Sequence, residues 1–315
     1  MTAQLERKAA APGSGRESAG LPGPHAASPR RDKRKEGLAW LGLLPFFLFV
    51  FAFMILPAAS IFTGSFQDAE GHFTFRNIVN LFKPNILGSY LITVKVSATT
   101  AALGGVLGFL IAYAISLGGL PKPLRSFMST FSGVASNFAG VPLAFAFIAT
   151  LGRMGLLTVF IKTVFGFDLY DKGFSLYGFW GLSLTYTYFQ IPLMILIILP
   201  ALDGMRKEWR EASENLGAST IQYWMRVGIP VLLPSLLAAF ILLFGNAFGA
   251  YATAYALTGG IIDLVPILIG AQIRGNVLHD ANLGYALALG MVVIMTASIV
   301  LYTWLQKISS KWVKA

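Results

Sequence analysis

The residues of this chain best placed to do chemistry with a partner lie between Asp203 and Gly228, in the run DGMRKEWREASENLGASTIQYWMRVG. Four bases (Arg206, Lys207, Arg210, Arg226) and four acids (Asp203, Glu208, Glu211, Glu214) are interspersed there, between two long apolar segments. Charges of both signs at this density form ion pairs and hydrogen bonds with another surface. A connector between apolar segments needs far fewer residues. Asp203 is placed to cap a helix running to about Leu216, with Glu208 favouring its first turn. Gly217 suits the left-handed position that ends a helix, and Ser219 with Gln222 reads as the capping box of a second helix. Ile229-Pro230 closes the run as apolar sequence resumes. Helix, glycine break, helix makes a knob that another protein can read; the plainer reading is a solvated loop on a membrane surface.

Covalent and metal chemistry finds little support. The chain has no cysteine, which excludes disulfides, thiol catalysis and cysteine metal sites. No Gly-Lys dipeptide occurs, so the phosphate-cradling GxxxxGK[ST] loop is absent and no nucleotide is hydrolysed by that route. The three histidines (His25, His72, His279) are far apart in sequence and read as surface residues. No catalytic residue, metal ligand or cofactor is expected.

The elements that must position the knob are membrane spans. Of the 315 residues 56% are hydrophobic and 12% charged, about half the charge of a soluble domain. The apolar residues fall in blocks of more than 18, which calls for an all-α, polytopic membrane protein, since helices satisfy their own backbone in lipid. Six transmembrane helices are predicted, at 38–62, 89–116, 126–150, 176–200, 229–256 and 283–306. Residues 1–37 hold eight Lys and Arg and few large apolar side chains, and read as a disordered basic tail. With both termini inside, the segments 1–37, 117–125, 201–228 and 307–315 carry 17 Lys and Arg against six outside, as the positive-inside rule requires. The net charge of +10 follows from this flanking and calls for no nucleic acid.

Within the spans there is no Asp or Glu, which argues against proton coupling. Lys95 is expected to snorkel outward. Gly104 with Gly108, and Gly245 with Gly249, read as close helix contacts. Trp40, Trp180, Trp304 and Trp312 sit near block ends as interfacial anchors, whereas Trp209 and Trp224 fall inside the knob. Asn137 in the third span, Tyr186, Tyr188 and Gln190 in the fourth, and Asn246 and Tyr251 in the fifth are the candidate lining of a solute pathway. Taken singly, each is more simply an interhelix hydrogen bond.

Glu211-Ala212-Ser213, then Gly217-Ala218-Ser219, then Val227-Gly228-Ile229-Pro230 resemble the signature of permease subunits of binding-protein-dependent ABC importers. That signature is Glu-Ala-Ala, three variable residues, Gly, and later a hydrophobic residue and Pro. Ser213 stands for the second Ala and Ile229 for the commoner Leu. The opening span LPFFLFVFAFMILPAASIFTGSF is also similar to the family's, whereas Tyr90-Leu91-Ile92-Thr93 departs from its frequent Asn-Thr. The resemblance covers 38–306. It implies that the first knob helix docks into a groove on a cytoplasmic ATPase, with Glu211, Ala212, Ser213, Gly217, Ala218, Ile229 and Pro230 as the coupling residues. ATP-driven closure of the ATPase dimer would then move two permeases between inward- and outward-open states. An extracytoplasmic substrate-binding protein would deliver the cargo, and the localisation would be a bacterial inner membrane.

GNAFGAYATAYALTGG (245–260) and LGYALALGMVVIM (283–295) look like the polyamine-type branch of that family, which also includes phosphonate and iron relatives. Spermidine or putrescine is therefore the expected cargo, with tyrosine faces offering cation–π contact, and the second permease is expected to be a different chain. The rival from another class is a stand-alone ion-coupled secondary transporter, which would transport without an ATPase. A membrane scaffold would dock the knob without solute flux.

Overall fold

The computed structural model describes residues 33–274 and 280–313, in two units that divide between Ile55 and Leu56. In the first unit, α1 (Lys33–Val50) contains Pro45 and runs into a π-turn, Phe51–Ile55. Helix therefore begins five residues before the expected span. Lys33, Arg34, Lys35 and Glu36 are good helix formers and extend the apolar helix backward. Residues 1–32 of the expected tail, and His25, lie outside the described residues, as does His279.

The second unit is all-α. Among the described residues the strand-like pairing is one isolated bridge, Gln67 to Phe73. In chain order the helices are α2 (Leu56–Ser65), α3 (Arg76–Asn80), α4 (Pro84–Leu117), α5 (Lys122–Asn137), α6 (Gly140–Leu151), α7 (Leu156–Phe165), α8 (Phe179–Asp203), α9 (Lys207–Asn215), α10 (Thr220–Tyr223), a π-turn (Trp224–Gly228), α11 (Ile229–Phe248), α12 (Ala252–Thr258), α13 (Val265–Arg274) and α14 (Ala281–Val313). Six helical stretches are long and apolar enough to cross a bilayer: Gly42–Ser65, Pro84–Leu117, Gly140–Phe165, Phe179–Asp203, Thr220–Phe248 and Ala281–Lys307. Six were expected, and two of them differ in build. The block 126–150 is two helices, α5 and α6, parted at Phe138–Ala139, and the third crossing stretch is displaced from it: it starts only at Gly140 and runs through α7 to Phe165, taking in Arg153 and Lys162. The block 229–256 is α11 and α12, parted at Gly249–Tyr251, and its helix begins upstream at Thr220. The segment 307–313, expected as tail, continues α14.

α8 is the axis of the unit. It packs against α4, α5 and α11, and Leu182, Tyr186, Gln190, Ile198 and Leu202 along it are fully buried. Its close fit to α4 depends on glycine: a Cβ at Gly108 would come 2.6 Å from Met194 Cβ and 2.7 Å from the Ile191 carbonyl oxygen, and one at Gly104 would overlap Gln190. Small residues let the backbones approach where lipid supplies no hydrophobic drive. Gly249 has no such neighbour; it marks the end of α11 instead. α13 is a short apolar helix between the fifth and sixth predicted spans. Its start is fixed by Thr93 of α4, whose hydroxyl oxygen accepts the Val265 N–H at 3.0 Å.

Candidate functional site

Two regions gather the residues singled out by the sequence. The first is the knob. α8 ends at Asp203, and Gly204 follows as its C-cap. The helix expected from Asp203 is shorter, starting at Lys207, and its N-cap is Arg206, with no side-chain cap. Asp203 does not cap it because its carboxylate is engaged elsewhere. It accepts from the Ser116 hydroxyl at the end of α4 and pairs with Arg125 of α5. The Asp203 end of α8 is thereby tied to both neighbouring helices.

α9 places Glu208 in its first turn, where its charge favours the helix N-terminus. Arg210 Nε donates to Glu214 at 2.9 Å one turn on. The helix stops at Gly217, with φ +78. The Gly217 N–H donates to the Glu214 carbonyl (2.9 Å) and the Ala218 N–H to the Ser213 carbonyl (3.0 Å), the paired bonds of a Schellman ending. The capping box is formed as read: the Gln222 N–H donates to Ser219 Oγ and the Ser219 N–H to Gln222 Oε1. The second helix is not separate, however. It continues through the π-turn into α11, so Ile229 and Pro230 lie in one helical run with the knob.

No residue of α9 is buried. Glu211, Ala212 and Gly217 are exposed, and Ser213 and Ala218 half-buried. Leu216, Ile221 and Met225 are 88%, 72% and 69% exposed. Trp209 is on the α9 surface, whereas Trp224 turns inward, edge-on to Tyr113 at 5.2 Å. The knob is thus braced from behind by aromatics and presents charges with apolar side chains at its tip.

The second region gathers around two helix breaks, Phe138–Ala139 just before the third crossing stretch and Gly249–Tyr251 just after the fifth. The Tyr186 hydroxyl donates to the Ala250 carbonyl at 2.7 Å, and the Gly140 N–H donates to Thr253 Oγ1 at 2.8 Å. Each break is satisfied by a side chain from a neighbouring element. Tyr188 lies 15 residues before Asp203, about 22 Å along the helix, and its ring meets Phe138 at 6.2 Å and Phe147 at 6.0 Å. Unwound backbone at that depth is tolerated where protein or a water-filled cavity covers it.

The six candidate pathway residues divide between two roles. Tyr186 and Gln190 are fully buried and tie α8 to the fifth span; Gln190 Nε2 donates to the Leu243 carbonyl at 2.8 Å, and its Oε1 has no hydrogen-bond partner. Asn137, Tyr188 and Asn246 are exposed and Tyr251 half-buried. Asn137 stands at the end of α5, where its Nδ2 donates to the Gly133 carbonyl at 2.9 Å. Lys95 is exposed. Beside Tyr251 a cavity of about 400 Å³ opens, lined in part by the α13 residues Pro266, Ile269, Gly270, Ile273 and Arg274.

On the turn after α2, ligand atoms of the half-buried Asp68 and the exposed Glu70 and His72 come within 4.8 Å of one another. Their alternate spacing is the sequence signal for that proximity. Asp68 Oδ1 is already used, accepting the N–H groups of Glu70 (3.1 Å) and His72 (2.8 Å) to shape the turn.

Comparison with known proteins places these features. Residues 104–315 match the family described as binding-protein-dependent transport system inner membrane component. The ferric transport system permease protein FbpB of Actinobacillus pleuropneumoniae is 26% identical over 268 residues, covering 84% of this chain and 37% of that protein. A probable sulfate transport system permease protein cysT of Nephroselmis olivacea is 25% identical, covering 84% and 89%. The spermidine/putrescine transport system permease protein PotC of Haemophilus influenzae is 23% identical, covering 81% and 93%. The chain spans about two fifths of the length of the ferric permeases it matches. In fold it is similar to a chain of a bacterial ABC transporter that imports the acidic polysaccharide alginate, with TM-score 0.70, 15% identity, and coverage of 88% of this chain and 97% of that one. The matched segment holds the Schellman-ended α9, both broken spans and more than half of the sequence, and the chain belongs to the family of binding-protein-dependent transport system inner membrane components.

Proposed function

We propose that this chain is the permease subunit of an ATP-driven solute importer, forming half of a translocation pathway in a bacterial inner membrane with both termini in the cytoplasm. The observation that carries it is α9, a short helix with no buried residue beside the exposed Leu216, Ile221 and Met225. Such a surface needs a partner, and a cytoplasmic ATPase dimer is the partner the family supplies. Glu211, Ala212 and Ser213 would lie in its groove. Gly217 and Ala218 would set the helix ending, and Ile229 and Pro230 would carry movement into the fifth span. A driver shifts a conformational equilibrium only through differential contact with the two states. α10, which follows α9 across the Gly217 turn, packs by Tyr223 and Trp224 and is continuous with α11, and it passes on such a bias.

The pathway wall would be the exposed polar face at the span breaks: Asn137, Tyr188, Asn246 and Tyr251. Polar groups at membrane depth that face neither lipid nor core need water or a second subunit. A second permease, taken as a different chain, would close the pathway, and an extracytoplasmic binding protein would load it. Iron, sulfate and polyamine carriers are all among the relatives, and the polyamine suggested by residues 245–260 and 283–295 is one of these three cargo classes. ATP hydrolysis belongs to the partners in this reading. Family membership weighs against the stand-alone ion-coupled transporter.

The test is reconstitution. Vesicles holding this chain with its second permease, ATPase dimer and binding protein should take up solute when ATP is present on the ATPase side. Uptake by this chain without the ATPase, driven by an ion gradient, would overturn the proposal.

A further inference from the structure

We propose that Arg274 makes the cavity beside the fifth-span break selective for anionic cargo, an oxyanion or a carboxylate-bearing solute. The proposal rests on the importer reading and names its substrate class. The cavity is bounded by Tyr251, Pro266, Ile269, Ile273, Arg274 and Met291. It opens where the chain unwinds between α11 and α12. Among the described residues one charged side chain lines it, Arg274, and no carboxylate does.

Arg274 is held in a built position. Its Cζ lies 5.1 Å from the centre of the Tyr251 ring, and Tyr251 stacks on Tyr255 at 5.4 Å with the planes 15° apart. A Cβ at Gly270 would come 3.0 Å from the Tyr251 ring, so glycine makes room for that ring to stand where it does. A guanidinium placed over a ring keeps N–H groups for a further partner, a fork matched to carboxylates and oxyanions. Among the described residues Arg274 forms no ion pair that would cancel its charge. A polyamine would meet repulsion here with no carboxylate to offset it. The Tyr251 face that could have served it by cation–π contact is taken by Arg274.

The absence of cysteine makes the cavity open to direct measurement. Ile273 lines it and is 46% exposed, so Ile273→Cys in the full-length chain, in membrane vesicles, sets a single thiol at its wall. The rates of reaction with an anionic sulfonatoethyl methanethiosulfonate and a cationic trimethylammonioethyl methanethiosulfonate are compared. The anionic-to-cationic ratio is expected to fall about fivefold to tenfold when Arg274→Gln is added, and to be kept by Arg274→Lys. A ratio indifferent to Arg274→Gln overturns the proposal. Sulfate and spermidine then serve as competing probes. Sulfate should slow modification of the thiol and lose that effect with Arg274→Gln. Protection by spermidine and not by sulfate, or by neither, overturns the proposal. These rates need no ATPase, so their failure leaves the importer reading standing. That reading fails separately, on uptake that ignores ATP.

Discussion

The Tyr186 hydroxyl donates to the Ala250 carbonyl at 2.7 Å, from the fully buried face of α8 to the point where the fifth span unwinds. A carbonyl freed by a helix break needs a donor when it is buried, and this tyrosine is the donor. Tyr186→Phe should therefore cost about 1–3 kcal/mol. Tyr188→Phe, whose ring is 37% exposed, should stay within about 0.5 kcal/mol. Thermal unfolding of the two purified variants in detergent checks this. Equal melting temperatures would show that the bond does not hold the break.

Gly217 tests the ending of α9. Its φ of +78 strains any residue with a Cβ, yet nothing lies within 4 Å of where that Cβ would stand. The cost is conformational and not steric, about 1–2 kcal/mol for an ordinary residue and less for asparagine. ATP-dependent uptake should fall in the order Gly, Asn, Ala, Val at this position, with Gly217→Asp near the bottom because it adds an acid beside the tip. An Ala variant as active as the native chain would contradict the role given to the turn.

Asp203 separates two roles in one substitution. Asparagine caps helices as well as aspartate does, so Asp203→Asn would be silent if the residue were a cap. Here the carboxylate pairs with Arg125, both about 38% exposed. A double-mutant cycle with Arg125→Gln should give a coupling of about 0.2–1 kcal/mol that shrinks in high salt. Zero coupling at low salt would count against the pair.

The loop after α7 gives a pH dependence. Lys162 donates to the Asp168 carboxylate, which holds that carboxyl below its usual range. Its other oxygen accepts the N–H groups of Tyr170 (2.9 Å) and Asp171 (3.3 Å). A carboxyl lowered in the folded state adds stability above its unfolded pKa, about 4, and loses it as pH falls through the lower folded value. The protection of these two amides, taken as exchange relative to the free-chain rate at each pH, should hold from neutral pH to about 4 and fall below it. Protection that begins to fall near pH 6 would contradict the assignment.

The sequence made the spans legible because apolar blocks longer than 18 residues have one use. The Gly217 turn and the Ser219–Gln222 box were legible because each is a local pattern with a local cause. The helix breaks were not. Gly249–Tyr251 sits inside a run read as one apolar block, and the serine-rich stretch before Phe138 was joined to the apolar one after it; the groups that satisfy the breaks, Thr253 and Tyr186, are 113 and 64 residues away from their partners. Asp203 was misread for the same reason, since Arg125 and Ser116 are remote in sequence. α13 was missed because ten residues are too few to span. With it went Arg274, the charge that decides the character of the cavity.

The central claim is that a second protein grips α9. Ala212 is exposed on that helix and the chain has no cysteine, so Ala212→Cys can be labelled with a water-soluble maleimide in vesicles with and without the ATPase partner. The account predicts rapid labelling of the chain without its partner and strong protection in the assembled complex, lost with Glu211→Lys. Equal labelling with and without the ATPase, in a complex that still transports, would contradict it.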